Sequence, residues 1–489
     1  MDNRMDTRIH TGGEAPSDQA LEVRVRALFE AQRQHQPQVR RTSAEERIGT
    51  LRRLREALLA RRQDLHVALW ADFRKPAVEV DLTEIMPVLT EIKHAVDQLP
   101  RWMAPRRVKA TPPLLGTRAE VRCEPKGVSL IIAPWNYPVT LTLGPLVSAV
   151  AAGCCCVLKP SEFTPHTTAV LRELLAAVFE EREVAVVEGD ATAAQALLAQ
   201  PFDHVFFTGS PRVGRLVMQA AARHLASVTL ELGGKSPAIV DETADVGLAA
   251  EKIAQGKFTN AGQTCIAPDY VLVHTAVHDA LTAALREQVH RFYGATPADR
   301  AASPDYPRLI HDGHWQRLAG WLEDALARGA EVVVGGRRNA AERYLEPTVL
   351  TGVAPDDPLM TEEIFGPILP VLRFETLDEA LALVNARPKP LALYVFTESE
   401  AHRERILQET SAGGTCVNDT LLHFIHPELP FGGVGHSGLG KSHGHYGFLA
   451  FSNERAVLHQ KLKKAPIRLL YPPYGPRVRR LAAWVLKYF

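Results

Sequence analysis

From Ala20 to about Leu99 apolar positions recur at helical spacing among many charges, as in LEVRVRALFEAQR and AEERIGTLRRLREALLARR, which predicts amphipathic helices. After a proline-rich stretch from Pro105 to Pro113 the pattern changes. Short apolar runs (GVSLIIA, CCCVLK, VAVVEG, DHVFFTG and SVTLEL) alternate with helical segments. Such alternation predicts right-handed βαβ crossovers and a mostly parallel, doubly wound sheet. A second alternating block starts near Ala238, with YVLVH, EVVVGG, LPVLRF and ALYVF as its strands. The pattern therefore reads as two α/β domains with appendages, preceded by a polar, flexible segment over residues 1–19.

Residues 127–158 carry no charged side chain, long enough to imitate a membrane span. Pro134, Pro138, Pro145, Gly144 and Gly153 cut the run into pieces of strand and short-helix length, so it reads as buried α/β core. A length of 489 residues with 46% hydrophobic side chains predicts a multidomain protein and excludes a disordered tail, a collagen-like fibre or a disulfide-stapled miniprotein. With 56 basic and 56 acidic residues, the chain lacks the basic excess of a nucleic-acid binder. The balance is uneven, since residues 461–489 hold eight basic and no acidic side chains, leaving a body of −8. Cys123, Cys154, Cys155, Cys156, Cys265 and Cys416, with no apolar secretory segment at the start, predict reduced thiols in the cytoplasm.

Several segments carry possible chemistry. The strand DHVFFTG runs into Ser210 as a helix cap and Pro211 in the first turn, with Gly209 and Gly214 bracketing a helix start that could face a pyrophosphate. The spacing is not the G-x-G-x-x-G fingerprint, and an ordinary strand-to-helix turn explains it equally well. Thr164 and Pro165 suggest a second capped turn after CCCVLK. Lys159 and Glu162 fall at that strand's carboxyl end, where open α/β sheets bind ligands. Glu162 could accept ribose hydroxyls and would repel a 2′-phosphate, favouring NAD over NADP.

Glu231 closes an apolar strand before Gly233 and Gly234, a setting that suits a desolvated general base or a structural carboxylate. Lys235-Ser236 resembles the end of a phosphate loop, but the first glycine of that motif is missing. Cys265, in FTNAGQTCIAP, is the one cysteine in a polar, loop-like setting, as a reactive thiol requires, although an inert core cysteine is the commoner case. GHSGLG around Ser437 lacks the second glycine of a nucleophile elbow. His423, His426, His436, His443 and His445 lack companion ligands at metal spacing, so no metal is expected.

In order and spacing, PWNYP (134–138), LKPSE (158–162), FTGSPRVG (207–214), LELGGKS (230–236), GQTC (262–265), EEIFGP (362–367) and PFGGVGHSG (430–438) resemble the aldehyde dehydrogenase superfamily, from about Ala20 to Gln460. The short N-terminal region, GQTCIAPDY and the ending PFGGVGHSGLGKSHGHYGFLAFS look like its class 3 branch, which includes fatty and aromatic aldehyde dehydrogenases; NDTLLHFIHPELPFGG looks like bacterial enzymes acting on alkane-derived aldehydes.

The resemblance implies an α/β fold with a Rossmann-type cofactor domain (20–106 and 126–233), a catalytic domain (234–446) and bridging strands (107–125 and 447–458), followed by a basic amphipathic tail (459–489). It further implies Cys265 as nucleophile, Asn136 and the Cys265 N–H as oxyanion donors, and Glu231 as the base that activates water. Glu363 is a second candidate base in class 3 enzymes. The cofactor, NAD with NADP possible, would be held by Lys159, Glu162, Gly209, Ser210, Val213, Gly214, Glu363, Phe365 and Trp135. The implied partners are an apolar aldehyde and a second copy of the chain in a homodimer. Three roles stay open for the tail: a cover for a partner's substrate tunnel, a contact with an anionic membrane surface, or a solvated helix. CoA-acylating dehydrogenation and a silent protein of the same fold are the competing readings; Glu231 argues against the first, and the set Cys265, Asn136 and Glu231 against the second.

Overall fold

The computed structural model describes residues 18–111, 114, 116–463 and 466–488. Residues 1–17, most of the segment expected to be flexible, lie outside the described residues; the first helix is Asp18–Val39. Helices Ala44–Ala60, Arg62–Phe73 and Met86–Met103 follow, the first of these started by a capping box in which Ser43 and Glu46 satisfy each other's backbone N–H groups.

The five apolar runs form parallel strands in the order Ser227–Leu232, His204–Gly209, Val128–Ile132, Cys155–Lys159, Val184–Val186. The uncharged run becomes strand Val128–Ile132, helix Thr140–Ala152 and strand Cys155–Lys159, nearly all buried. Gly153 ends that helix at φ 87°, and a Cβ there would lie 2.5 Å from the Arg47 guanidinium, so both backbone sign and space demand glycine. All six cysteines are free.

The second block forms a seven-stranded sheet in the order Glu331–Val334, Thr348–Thr351, Ile368–Phe374, Tyr270–His274, Pro237–Val240, Ala392–Phe396, Gly414–Val417. Only its first strand runs antiparallel to its neighbour. A smaller antiparallel sheet joins Arg106–Val108, Thr117–Pro125 and Ser452–Gln460. The 234–446 segment is not confined to the second domain. Gly438–Leu439 returns to pair antiparallel with Leu230 and Glu231, while Phe448 and Phe451 beyond it join the core of the first sheet.

The tail forms helix Pro476–Tyr488, with Trp484 and Leu486 exposed beside Arg477, Arg479 and Arg480. No helix among the described residues is long and apolar enough to cross a membrane.

Candidate active site

Cys265 is placed by an unusual loop. Helix Val246–Phe258 runs into Asn260, Ala261 and Gly262, at φ 56°, 52° and 73°. Two consecutive non-glycine residues in left-handed conformation store strain that the surroundings must override. They do so with buried hydrogen bonds. Asn260 Nδ2 donates to the carbonyls of Asn136 (2.9 Å) and Gln263 (3.1 Å). Gln263 Nε2 donates to the carbonyls of Asn260 and Arg308, and its Oε1 accepts the Ile310 N–H. A Cβ on Gly262 would fall 2.3 Å from the Gly366 carbonyl oxygen, so the loop closes only with glycine there. Thr264, next to the thiol, shares a 2.6 Å hydrogen bond with Tyr137.

Asn136, 2% exposed, faces the same loop. One Nδ2 hydrogen goes to the Gln263 carbonyl at 3.0 Å, and the other has no protein acceptor among the described residues.

Two carboxylates act on the thiol. Glu231, on the strand Ser227–Leu232, is 5% exposed; its Oε1 accepts the Ser442 hydroxyl at 3.0 Å, and its buried Oε2 has no hydrogen-bond partner among the described residues. Burial pushes its carboxyl up to about 8, against the pull of the Ser442 hydroxyl and the Lys441 charge. Burial, then the Asp269 charge, pushes Glu363 up to about 8, while the Gly234 N–H opposes. The Cys265 thiol is pushed up to about 12, first by burial and then by the Glu363 and Glu231 charges. The resting group is therefore a thiol that needs a base, and both carboxyls gain the capacity to accept a proton as pH rises toward about 8.

Dinucleotide-contact candidates gather along the carboxyl ends of the first sheet's parallel strands. Lys159, 4% exposed, donates to Glu162 at 3.3 Å, and Glu162 is exposed. Ser210 caps helix Pro211–Ala222 by accepting the Val213 N–H at 3.4 Å. Cβ atoms at Gly209 and Gly214 would lie 2.5 Å from the Phe207 ring and 2.7 Å from Leu232, so the turn leaves no room for side chains. Thr164 is different. It precedes helix Pro165–Ala176 but its side chain does not cap it; Asp72, from another helix, accepts the His166 and Thr167 N–H groups instead. Trp135 packs edge-on against Phe365, ring centroids 5.3 Å apart, and Phe365 itself sits at φ 52°. A Cβ on Gly233 would lie 2.1 Å from Glu363 Oε2, so glycine lets Glu363 reach the end of the Glu231 strand. This glycine-edged helix start, with a carboxylate and a lysine at the end of strand Cys155–Lys159 two places along the sheet, fits a dinucleotide.

The residues that hold these groups show no such role in the sequence. Lys235, which follows an incomplete phosphate-loop pattern, donates to Asp269, to the Leu359 carbonyl (2.8 Å) and to the Glu362 carbonyl (2.9 Å). Asp269 in turn accepts the Ile364 N–H, and Arg317 donates to the Glu363 and Ile364 carbonyls. The Glu363 loop is thus pinned from both sides. Ser442 gave no local signal either; it meets Glu231 only because the chain returns to the first sheet. Of the histidines, His443 pairs with Glu91 at 3.3 Å and His423 with Cys416 at 3.1 Å.

An apolar cavity of about 550 Å³ opens at this site, with Cys265, Glu231, Leu82, Met86, Leu141, Phe424 and Ile425 among its walls. The aldehyde dehydrogenase family profile matches residues 13–457. The 4,4'-diaponeurosporen-aldehyde dehydrogenase of Staphylococcus aureus is 44% identical over 435 residues, 89% of this chain and 93% of that protein. A probable coniferyl aldehyde dehydrogenase of Pseudomonas aeruginosa is 44% identical over 464 residues, 95% of each chain. Human aldehyde dehydrogenase family 3 member B1 is 44% identical over 442 residues, 90% of this chain and 92% of that one. Among solved structures, the substrate-bound state of Staphylococcus aureus AldH superposes with a TM-score of 0.90 at 42% identity, covering 94% of this chain and 99% of that chain. The chain belongs to the aldehyde dehydrogenase family, and its activity is NAD(P)-dependent aldehyde oxidation.

Proposed function

We propose that the chain oxidises apolar aldehydes, medium- to long-chain aliphatic or aromatic, to carboxylic acids through a thioester on Cys265. The observation that carries this reading is the apolar cavity lined by both Cys265 and Glu231. In the proposed sequence Cys265 Sγ bonds to the aldehyde carbon as its proton passes to a neighbouring carboxylate. The developing oxyanion is received by the free Asn136 Nδ2 hydrogen and the Cys265 N–H. NAD(P), held by the residues named below, would supply the two-electron acceptor that oxidation of the thiohemiacetal to a thioester requires. Glu231 then takes a proton from water as the oxygen attacks the thioester carbon, the C–S bond breaks, and the acid leaves. The buried Oε2 of Glu231, without a protein partner, supports its part as the acceptor of that proton.

Lys159, Glu162, Gly209, Ser210, Val213, Gly214, Trp135, Glu363 and Phe365 are the proposed cofactor contacts. The exposed Glu162 carboxylate supports NAD over NADP, because a 2′-phosphate beside it would be repelled. A kcat/KM series from acetaldehyde to hexadecanal, with aromatic aldehydes and both cofactors, tests the reading. Efficiency should climb with apolar length and be higher with NAD. An optimum at acetaldehyde, or a strict requirement for CoA, would contradict it.

Replacing Asn136 by Ala should lower kcat by about 10²- to 10³-fold, the usual effect of losing one oxyanion donor. Steady-state kinetics beside a melting curve checks this, since Asn136 also braces the Gln263 carbonyl.

A homodimer is proposed on the nine-residue strand Ser452–Gln460, which lies at the edge of its sheet and invites pairing. The basic tail suits a partner subunit or an anionic membrane face, the two contacts proposed for it. The cytoplasm is the proposed compartment, in keeping with six free cysteines.

A further inference from the structure

The cavity that reaches Cys265 is one-signed. Glu79, Glu91, Glu231 and Asp305 line it, and no lysine or arginine does among the described residues. Its basic side chain, His443, is held by burial below the ordinary imidazole range, and it already faces Glu91. Along it, with exposed Val78 and Leu82, stand Glu79, whose Oε1 is buried without a hydrogen-bond partner among the described residues, and exposed Asp305. No ion pair neutralises either one among the described residues. Lys75, whose charge acts on Glu79, is sealed in the wall, with its Nζ donating to Glu84 at 2.8 Å and standing 4.0 Å from the Tyr137 ring centroid.

We propose that Glu79 and Asp305 determine specificity, rejecting aldehydes that carry an anionic group at the far end while passing neutral apolar aldehydes of the same length. The inference deepens the reading of the chain as an apolar-aldehyde dehydrogenase and rests on it. With its carbonyl carbon at Cys265, an ω-carboxylated aldehyde must carry its second carboxylate along the cavity past these groups. There the anion loses water, finds no cation and meets like charges. Each like charge several ångströms away in a partly desolvated site costs about tenfold in kcat/KM. The apolar walls return nothing to a carboxylate.

The groups facing Glu79 set when it is charged. Burial pushes its carboxyl up to about 7; Lys75 and the Asn260 N–H pull it down, and Glu84 and Asp305 push it up. Tyr137 and Tyr293 also feel its charge. Glu79 therefore gains charge as pH rises through neutrality, and the rejection strengthens in the same direction.

The test compares kcat/KM for hexanal with that for adipate semialdehyde, its ω-carboxylated counterpart, in the wild type, Glu79→Gln, Asp305→Asn and the double variant. The ratio within each protein is the readout, so a general loss of activity cancels, and Gln at position 79 keeps an oxygen for the Asn260 N–H. The wild type should prefer hexanal by about 100-fold or more, and each substitution should reduce that preference by about tenfold. The wild-type ratio should widen from about pH 6 to about pH 8 and narrow with added salt. A wild-type ratio near one, or a ratio unchanged in the double variant, would overturn the proposal. If hexanal itself is not oxidised by the wild type, the apolar-aldehyde reading fails. If hexanal is oxidised and adipate semialdehyde does equally well, only the charge selection fails.

Discussion

Cys265→Ala protein should oxidise no aldehyde measurably, a loss of at least about 10⁴-fold in kcat, as befits removal of the atom that forms the covalent intermediate. No other cysteine lines the cavity, and Cys123 lies on the strand Thr117–Pro125 of the small sheet. Cys154, Cys155 and Cys156 are buried in or beside the Cys155–Lys159 strand, with their thiols pushed up chiefly by burial. Cys416 is buried and engaged by His423. The substitution removes one half-buried sulfur from a loop held by Asn260, Gln263 and Gly262, so the fold and the cofactor contacts should survive. Dinucleotide binding, read by fluorescence titration, should stay within about twofold of the wild type because the strand-end contacts are untouched. Residual turnover within tenfold of the wild type would remove Cys265 from the chemistry.

Glu231→Gln protein should release one equivalent of reduced cofactor per site and then stall. Glutamine matches the size of glutamate, and its carbonyl can keep accepting the Ser442 hydroxyl, but it cannot take a proton from water. Acylation can still proceed with Glu363 near the thiol, whereas hydrolysis of the thioester should slow by about 10²- to 10⁴-fold. The pH dependence has a defined sign. With its carboxyl at about 8, Glu231 is mostly protonated at neutrality, so wild-type hydrolysis of the acyl-enzyme should rise with pH and level off above about pH 8. Glu231→Gln should lose this limb. The same shift bears on stability: the folded-state pKa lies above the ordinary carboxyl value, so Glu231 favours the fold at low pH and that contribution fades as pH rises through 8. If Glu231→Gln turns over without a burst phase while Glu363→Gln stalls, Glu363 is the hydrolytic base.

Much of the fold was legible because both sheets are built from continuous apolar runs between helical segments, the signature of strands buried on two faces. The proposed nucleophile stands out for a local reason as well, since Cys265 alone among the cysteines sits in a polar loop. What was not legible depends on distant parts of the chain. The left-handed turn at Asn260 and Ala261 exists because Asn136, Arg308 and Ile310 meet it from elsewhere. Thr164 looks like a cap, yet Asp72 does the capping from a helix far away in sequence. Lys235 reads as a broken phosphate motif until Asp269 and the Glu362 carbonyl are seen beside it. Ser442 reaches Glu231 only through the return strand Gly438–Leu439, two residues too short to show as a pattern.

The proposed chemistry turns on a thioester on Cys265 that Glu231 resolves. Its most direct test is the intact mass of Glu231→Gln protein after mixing with hexanal and NAD, followed by mapping of the modified peptide. One added hexanoyl group is expected, carried on the peptide containing Cys265 and removed by hydroxylamine. Full reduction of one equivalent of NAD with unmodified protein, or a hexanoyl group on any other residue, would contradict it.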